Sequence, residues 1–314
     1  MPLPFDAVKH KIEEYSTISI LTHLNPDADT VGTALGIYAL LSKLKGKRVE
    51  VVNASDALPL YLDFLANYRK IKAKMDYKDS LVIACDCGSI HKLGFDLQGR
   101  EIINIDHHQS NEVYGSINVI KPSYASASQV AYALFKEIFP ISKEVATCFY
   151  TALFSDTQSF STASVNAEVF AVANEWVALG VNPSEVAQNF NQRRSLASVR
   201  ILQRALASLT LKHDGEIAIL SVNEADIEAS GASMADMEGI VEYGRSLVTV
   251  KISVFLICSG SGIRVSLRSK SADVSKVAVA FGGGGHRLAS GFSLNQCNLQ
   301  ESIDTILEKI TQLG

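Results

Sequence analysis

The sequence predicts an α/β protein of two domains: a parallel-sheet domain first and a smaller α/β domain after it, with an active-site cleft expected between them. Three observations carry this expectation. The 314 residues exceed what one hydrophobic core usually serves. Short β-branched runs alternate with helix-spaced stretches through the first half, and the pattern becomes strand-rich beyond about residue 210.

In chain order, Ile18 to Thr22 reads as a buried strand, followed by a polar loop and a helix over Val31 to Leu44, with Asp29 or Thr30 available as its cap. Val49 to Asn53, Ser80 to Cys85 and Glu101 to Ile105 are further buried strands, and ligands of such sheets gather at the strands' carboxyl ends. Helices follow at Ala127 to Phe139, Lys143 to Phe154, Asn166 to Leu179 and Pro183 to Phe190, the last opened by Asn182-Pro183. A polar break at 191–194 and a helix over Ser195 to Ser208 lead to strands at Glu216 to Ser221 and Val248 to Cys258. The expected division is 1–190 for the first domain, 191–209 for a linker helix and 210–314 for the second domain.

Composition narrows the function. Hydrophobic residues at 47% and charged residues at 20% are ordinary globular values. A net charge of −4 disfavours a binder of long duplex nucleic acid, which needs a basic surplus. The N-terminus lacks a basic region followed by an apolar run, and no stretch reaches the ~20 apolar residues of a membrane span. A cytoplasmic protein without a membrane partner is expected. The odd, scattered set Cys85, Cys87, Cys148, Cys258 and Cys297 makes no disulfide framework and no paired zinc motif. Strand alternation would point Cys85 and Cys87 to the same side, as buried packing residues.

The chemistry lies where strands end. His23-Leu24-Asn25-Pro26-Asp27-Ala28-Asp29 follows the first strand and sets an imidazole and two carboxylates in a tight loop. Mixed oxygen and imidazole donors suit Mn²⁺, Zn²⁺ or Fe²⁺ better than Mg²⁺ or Ca²⁺. Taken alone, the two aspartates could equally be a polar helix start. Asp86 stands at the mouth of the apolar run Leu81 to Cys85, where a carboxylate needs something to offset its desolvation. Asp106-His107-His108 ends the next strand in the same way, and Asp156 closes a helical run, where a capping role competes with ligation.

These four segments together resemble the DHH phosphoesterase family, which includes the RecJ exonuclease, family II pyrophosphatases and the nanoRNases. Phe281 to Gly291, with its Gly282-Gly283-Gly284-Gly285-His286 run, and Val265 to Lys270 upstream resemble the glycine-rich DHH-associated C-terminal domain. Nearly the whole chain is covered, and its length matches the compact nanoRNase subgroup, oligoribonucleases that also dephosphorylate 3′-phosphoadenosine-5′-phosphate (PAP).

The resemblance implies two divalent ions, with Mn²⁺ expected: His23, Asp27 and Asp86 on one, and Asp29, Asp86, His107 and Asp156 on the other, Asp86 bridging. It also implies that His108 faces the substrate phosphate and that Asp106 orients the histidines. Four ligand carboxylates against two such ions balance to about zero charge. Two ions about 3.5–4 Å apart would activate a water for in-line attack, so no protein nucleophile is required, and no Ser/His/Asp set or nucleophile elbow is present. In the second half, the backbone of Gly283, Gly284 and Gly285, with Arg264, Arg268 and His286, would bind substrate phosphate. A flexible connector is the blander reading of the glycines. The chain departs from the family pattern at Gln158, where Gly is frequent, and at Ser290, where Ala is common.

The implied activity is hydrolysis of short RNA or DNA oligonucleotides to mononucleotides, together with removal of the 3′-phosphate of PAP. The alternatives are a phosphodiesterase of linear or cyclic dinucleotides, an enzyme acting on pyrophosphate or polyphosphate, and a non-catalytic nucleotide-binding regulator. A homodimer is compatible with the sequence.

Overall fold

The computed structural model describes residues 3–260, 262–295 and 298–313. It forms two compact units, Met1–Arg193 and Arg194–Gly314.

The first unit runs α1 (Phe5–Glu14), β1 (Thr17–Thr22), α2 (Ala28–Leu41), β2 (Arg48–Val52), β3 (Ile71–Lys72), β4 (Leu81–Cys85), β5 (Ile102–Asp106), β6 (Ile117–Ile120), α3 (Ala127–Phe135), α4 (Lys143–Asp156), α5 (Ala167–Ala178) and α6 (Pro183–Asn191). Its strands form one parallel sheet in the order β3-β2-β1-β4-β5-β6. β1 and β4 are central neighbours, so the loops after them leave the sheet side by side. Every residue of β4 and β5 is buried, as continuous apolar runs in a parallel sheet require.

α2 is buried along its whole length. Gly32 makes this possible: a Cβ there would stand 2.7 Å from the Cys148 carbonyl oxygen and 2.9 Å from Ala152 Cβ, both on α4. The two helices therefore meet almost backbone to backbone, which fixes where α4 ends.

Several expectations shift. α2 begins at Ala28, not Val31, and its cap is Asp27, whose side chain accepts from the N–H groups of Asp29 and Thr30. α3 stops at Phe135, four residues short of the expected end. Asp156 lies at the C-terminal end of α4 and caps no helix start. Cys85 and Cys87 pack into separate core clusters, not on the same side of the sheet. Asp86 between them takes a left-handed backbone (φ 53°), which ends the strand and breaks its alternation. Cys85, Cys87 and Cys148 are buried thiols; Cys297 lies outside the described residues.

The second unit runs α7 (Leu196–Ala207), β7 (Thr210–Lys212), β8 (Ile217–Val222), α8 (Glu224–Ser230), α9 (Ile240–Arg245), β9 (Ile252–Ser259), β10 (Gly262–Ser269), α10 (Val274–Ala280), β11 (Gly284–His286), β12 (Ala289–Leu294) and α11 (Leu299–Leu313). Its mixed sheet is ordered β11-β12-β10-β9-β8-β7, with β8 and β9 parallel and the other pairs antiparallel. The helix expected as a linker, α7, packs into this unit: Ile201 and Ala205 are buried with Leu220, Val222 and Phe255. Among the described residues no helix is long and apolar enough to cross a membrane.

Candidate metal centre

The carboxyl ends of β1, β4 and β5 and the end of α4 deliver His23, Asp27, Asp29, Asp86, Asp106, His107, His108 and Asp156. Three groups of donors gather tightly: His23 with Asp27 and Asp86, Asp29 with His107 and Asp156, and Asp86 with His107 and His108. Within each group the donor atoms lie within 4.8 Å of one another.

Asp86 belongs to two of these arrangements through different oxygens. Its Oδ2 is 3.8 Å from His23 Nε2, and its Oδ1 is 3.5 Å from His107 Nε2. The carboxylate is buried, and Oδ1 accepts no hydrogen bond. A buried oxygen without a donor is costly unless a cation faces it.

Backbone carbonyls orient the two histidine rings. His23 Nδ1 lies 2.9 Å from the Leu24 oxygen, and His107 Nδ1 lies 3.2 Å from the Tyr124 oxygen. A carbonyl can only accept, so each Nδ1 must donate, and in the neutral ring the Nε2 lone pair is left toward the carboxylates. His107 Nε2 stands 3.7 Å from Asp29, 3.5 Å from Asp86 and 3.6 Å from Asp156. This tautomer is the one a metal ligand requires.

Asp29 is held by the start of α3: Ala127 N–H donates to Oδ2 at 2.8 Å and Ser128 N–H to Oδ1 at 3.3 Å, with Thr33 Oγ1 adding a bond at 3.2 Å. Even so, burial first and then the charge of Asp156 push the Asp29 carboxyl up to about 7. Burial and the charge of Asp27 push Asp156 up to about 7 as well. Asp86 is likewise held well above the usual carboxylate range, by burial first and then by the charges of Asp29 and Asp27. Carboxylates crowded this way repel one another until positive charge arrives. Burial works against ionised Asp27 too, but His23 and the α2 N–H groups outweigh it and hold this carboxyl low. Oxygen and imidazole donors, an orphaned buried oxygen and unbalanced carboxylates fit divalent cations. The Cys87 thiol, pushed up to about 11 by burial, does not compete as a ligand.

Asp106 is fully buried and serves His108 more than His107. Its Oδ1 lies 2.7 Å from His108 Nδ1 and accepts the backbone N–H groups of His107 (2.7 Å) and His108 (3.2 Å). Burial disfavours a charged His108, but the hydrogen bond and charge of Asp106 outweigh it, so the ring's pKa is raised. Two supports went unread in the sequence. Asn111 donates to Asp106 Oδ2 and accepts from Asn104 Nδ2 at 2.9 Å, and the α3 start holds Asp29. Asn111 stands four residues past His107, a spacing with no helical meaning outside a helix.

In the second unit, Arg264 and Arg268 share one face of β10, and the pairing His286↔Ala289↔Arg268 places His286 on that same face two strands away, about 10 Å. Arg268 Nε donates to Glu242 at 3.0 Å. The predicted glycines differ from one another. A Cβ on Gly283 would strike the Gly291 carbonyl, and one on Gly285 would stand 2.6 Å from the Ala289 oxygen, whereas one on Gly284 would meet nothing within 4 Å. Gly283 and Gly285 are thus demanded by their own sheet, and Gly284 leaves open backbone.

A sheet with carboxylates and histidines at its carboxyl edge, followed by a glycine-rich mixed-sheet unit, defines a class. Residues 17–153 match the DHH family N-terminal domain and residues 202–313 match the DHHA1 domain, so the chain carries a DHH domain followed by a DHHA1 domain. It is 29% identical over 300 residues to the bifunctional oligoribonuclease and PAP phosphatase NrnA of Thermus thermophilus, covering 94% of this chain and 89% of that one. It shares its fold with an exopolyphosphatase-related protein of Bacteroides fragilis (TM-score 0.90, 24% identity, 98% of this chain and 95% of that). RecJ of Thermus thermophilus, solved in complex with Mn²⁺, is a more distant neighbour (TM-score 0.57, 14% identity, 99% of this chain and 55% of that).

Proposed function

We propose that this chain is a metal-dependent phosphoesterase that degrades short oligonucleotides to mononucleotides and removes the 3′-phosphate of PAP. The observation that carries the reading is Asp86, a buried carboxylate whose two oxygens face two different donor clusters. The similarity to the Thermus thermophilus enzyme over most of both chains supports the substrate class.

In this reading His23, Asp27 and Asp86 hold one divalent ion, and Asp29, Asp86, His107 and Asp156 hold a second. Mn²⁺ is the ion we expect, in keeping with the mixed donor set and with the RecJ complex. The pair of ions would supply a nucleophilic water and neutralise charge on the phosphoryl oxygens. The protein's own groups do the rest. Leu24 and Tyr124 carbonyls keep the Nε2 lone pairs of His23 and His107 aimed inward. Asp106 accepts from His108 Nδ1 and favours the protonated ring, whose Nε2–H can then donate to a phosphate oxygen. Arg264, Arg268, His286 and the backbone of the Gly283-Gly284-Gly285 run, open at Gly284, are proposed to bind the nucleotide.

The test is release of mononucleotides from a 5′-phosphorylated dinucleotide and trinucleotide, and of phosphate from PAP, with Mn²⁺ and after chelation. Asp86→Ala should lower turnover roughly 10³-fold, since several kcal/mol of charge stabilisation go with the shared ligand and each ~1.4 kcal/mol is tenfold. Unchanged turnover in Asp86→Ala would remove the bridging role.

A further inference from the structure

The first unit carries a cavity of about 350 Å³ at the edge of the sheet opposite the metal centre. Tyr77 and Arg100 lie just before the starts of β4 and β5, whereas the metal-centre residues follow the ends of those strands. The five residues of β4 put the two sites roughly 17 Å apart.

The cavity's walls are held in place from below. Glu50, with its side chain fully buried, accepts hydrogen bonds from Ser19 Oγ at 2.7 Å, from the Asp76 N–H at 3.1 Å and from the Tyr77 N–H at 3.3 Å. Arg100 Nη2 donates to the Ser80 carbonyl at 2.8 Å, to Ser80 Oγ at 2.6 Å and to the Tyr77 carbonyl at 3.3 Å. The segment between β3 and β4 is therefore fixed, and the guanidinium is oriented before any ligand arrives.

Charge in the cavity is not balanced by its surroundings. Lys72 is paired with Asp76 and Glu50. Lys74 and Lys78, which line the cavity with Arg100, make no side-chain hydrogen bond or ion pair among the described residues. Three cations thus face one lining carboxylate, Asp96. Cations converging on a concavity raise the local potential and favour an anion there. Met75 and Phe95, half-buried against the core cluster around Leu93 and Leu97, form an apolar wall beside them.

We propose that this cavity binds a nucleoside monophosphate. The lysines and Arg100 suit the phosphate, Phe95 and Met75 offer apolar surface to the base, and Asp96 can accept from a ribose hydroxyl. Inorganic phosphate would leave the apolar wall wet and bring its charge up to Asp96 without a ribose hydroxyl to donate to that carboxylate.

Calorimetric titration of AMP into the full-length protein tests this. Binding should persist in Asp86→Ala, weaken at least tenfold in the double variant Lys74→Ser, Lys78→Ser, and exceed the affinity for inorganic phosphate at least tenfold. Unchanged AMP affinity in the double-lysine variant would overturn the site, and phosphate binding as tightly as AMP would overturn the nucleotide. Both lysines are exposed, so the variant should melt like the parent. Phe95→Ala reads the base contact separately, and a weaker AMP affinity is expected there too. The double-lysine variant should cleave a dinucleotide at the parent's rate; a chain inactive in every form would sink the proposed reaction and leave this titration standing.

Discussion

His23 and His107 each commit one ring nitrogen to a backbone carbonyl, and that choice accounts for more of the site than the histidines' mere presence. Their residue types could be read from the sequence. Their tautomers could not, because Leu24 and Tyr124 contribute through backbone oxygens that every residue type carries. Asp27 was legible as a carboxylate in the right loop, but its capping of α2 depends on a helix start three residues earlier than apolar periodicity indicated. The raised carboxyls give a pH prediction. Asp29 and Asp156 titrate near 7 when folded without metal and near 4 when unfolded. Between these values the folded chain binds more protons, so their contribution to stability is full below about pH 4 and is lost as pH rises through 7. Chelator-stripped protein should therefore lose Tm from pH 5.5 to 8 relative to Mn²⁺-saturated protein, and Mn²⁺ affinity should rise over the same interval. Scanning fluorimetry at matched ionic strength checks this; parallel Tm profiles would contradict it.

The elements that matter most are α2 and α4, because their contact sets the distance between Asp29 and Asp156. Gly32 sits where α4 leaves no room for a side chain. On an isolated helix Gly→Ala stabilises by about 1 kcal/mol. Here the new methyl would press on the Cys148 carbonyl, a backbone atom that cannot rotate away, and overpacking of this kind costs about 1–3 kcal/mol. Gly32→Ala is expected to lower the urea midpoint without changing the slope, and to weaken Mn²⁺ binding. A raised midpoint would show that the helices separate freely. β6 and the short β3 escaped the sequence reading because edge strands of two to four residues carry too little apolar alternation to stand out. The four helices of the first unit after β6 were legible as apolar-periodic runs, the last from its Asn182-Pro183 start, where the Asn182 side chain does accept the first N–H groups; Asn166 caps α5 in the same way.

At the scale of the molecule, each unit buries its own core, and α7 joins the second because Ile201 and Ala205 find partners on β8 and β9. The shared face of Arg264, Arg268 and His286 carries a prediction of its own: Arg268→Ala or His286→Ala should raise KM for a dinucleotide about tenfold or more, as loss of a charged hydrogen bond of about 1.5–3 kcal/mol implies, and leave hydrolysis of a small generic phosphodiester nearly unchanged. Equal losses on both substrates would argue that these residues support the fold alone. The sequence alone sufficed for the α/β class and the parallel sheet, because buried β-branched runs are written within a few consecutive residues; it also showed the ionisable groups at their ends, which only the family resemblance turns into a proposed ligand set. Only the tertiary structure decided that Asp86 faces two clusters, that carbonyls select the histidine tautomers, and that Gly283 and Gly285 serve packing where Gly284 does not. Those are matters of which atoms from distant parts of the chain come within a few ångströms, and no local pattern encodes such distances.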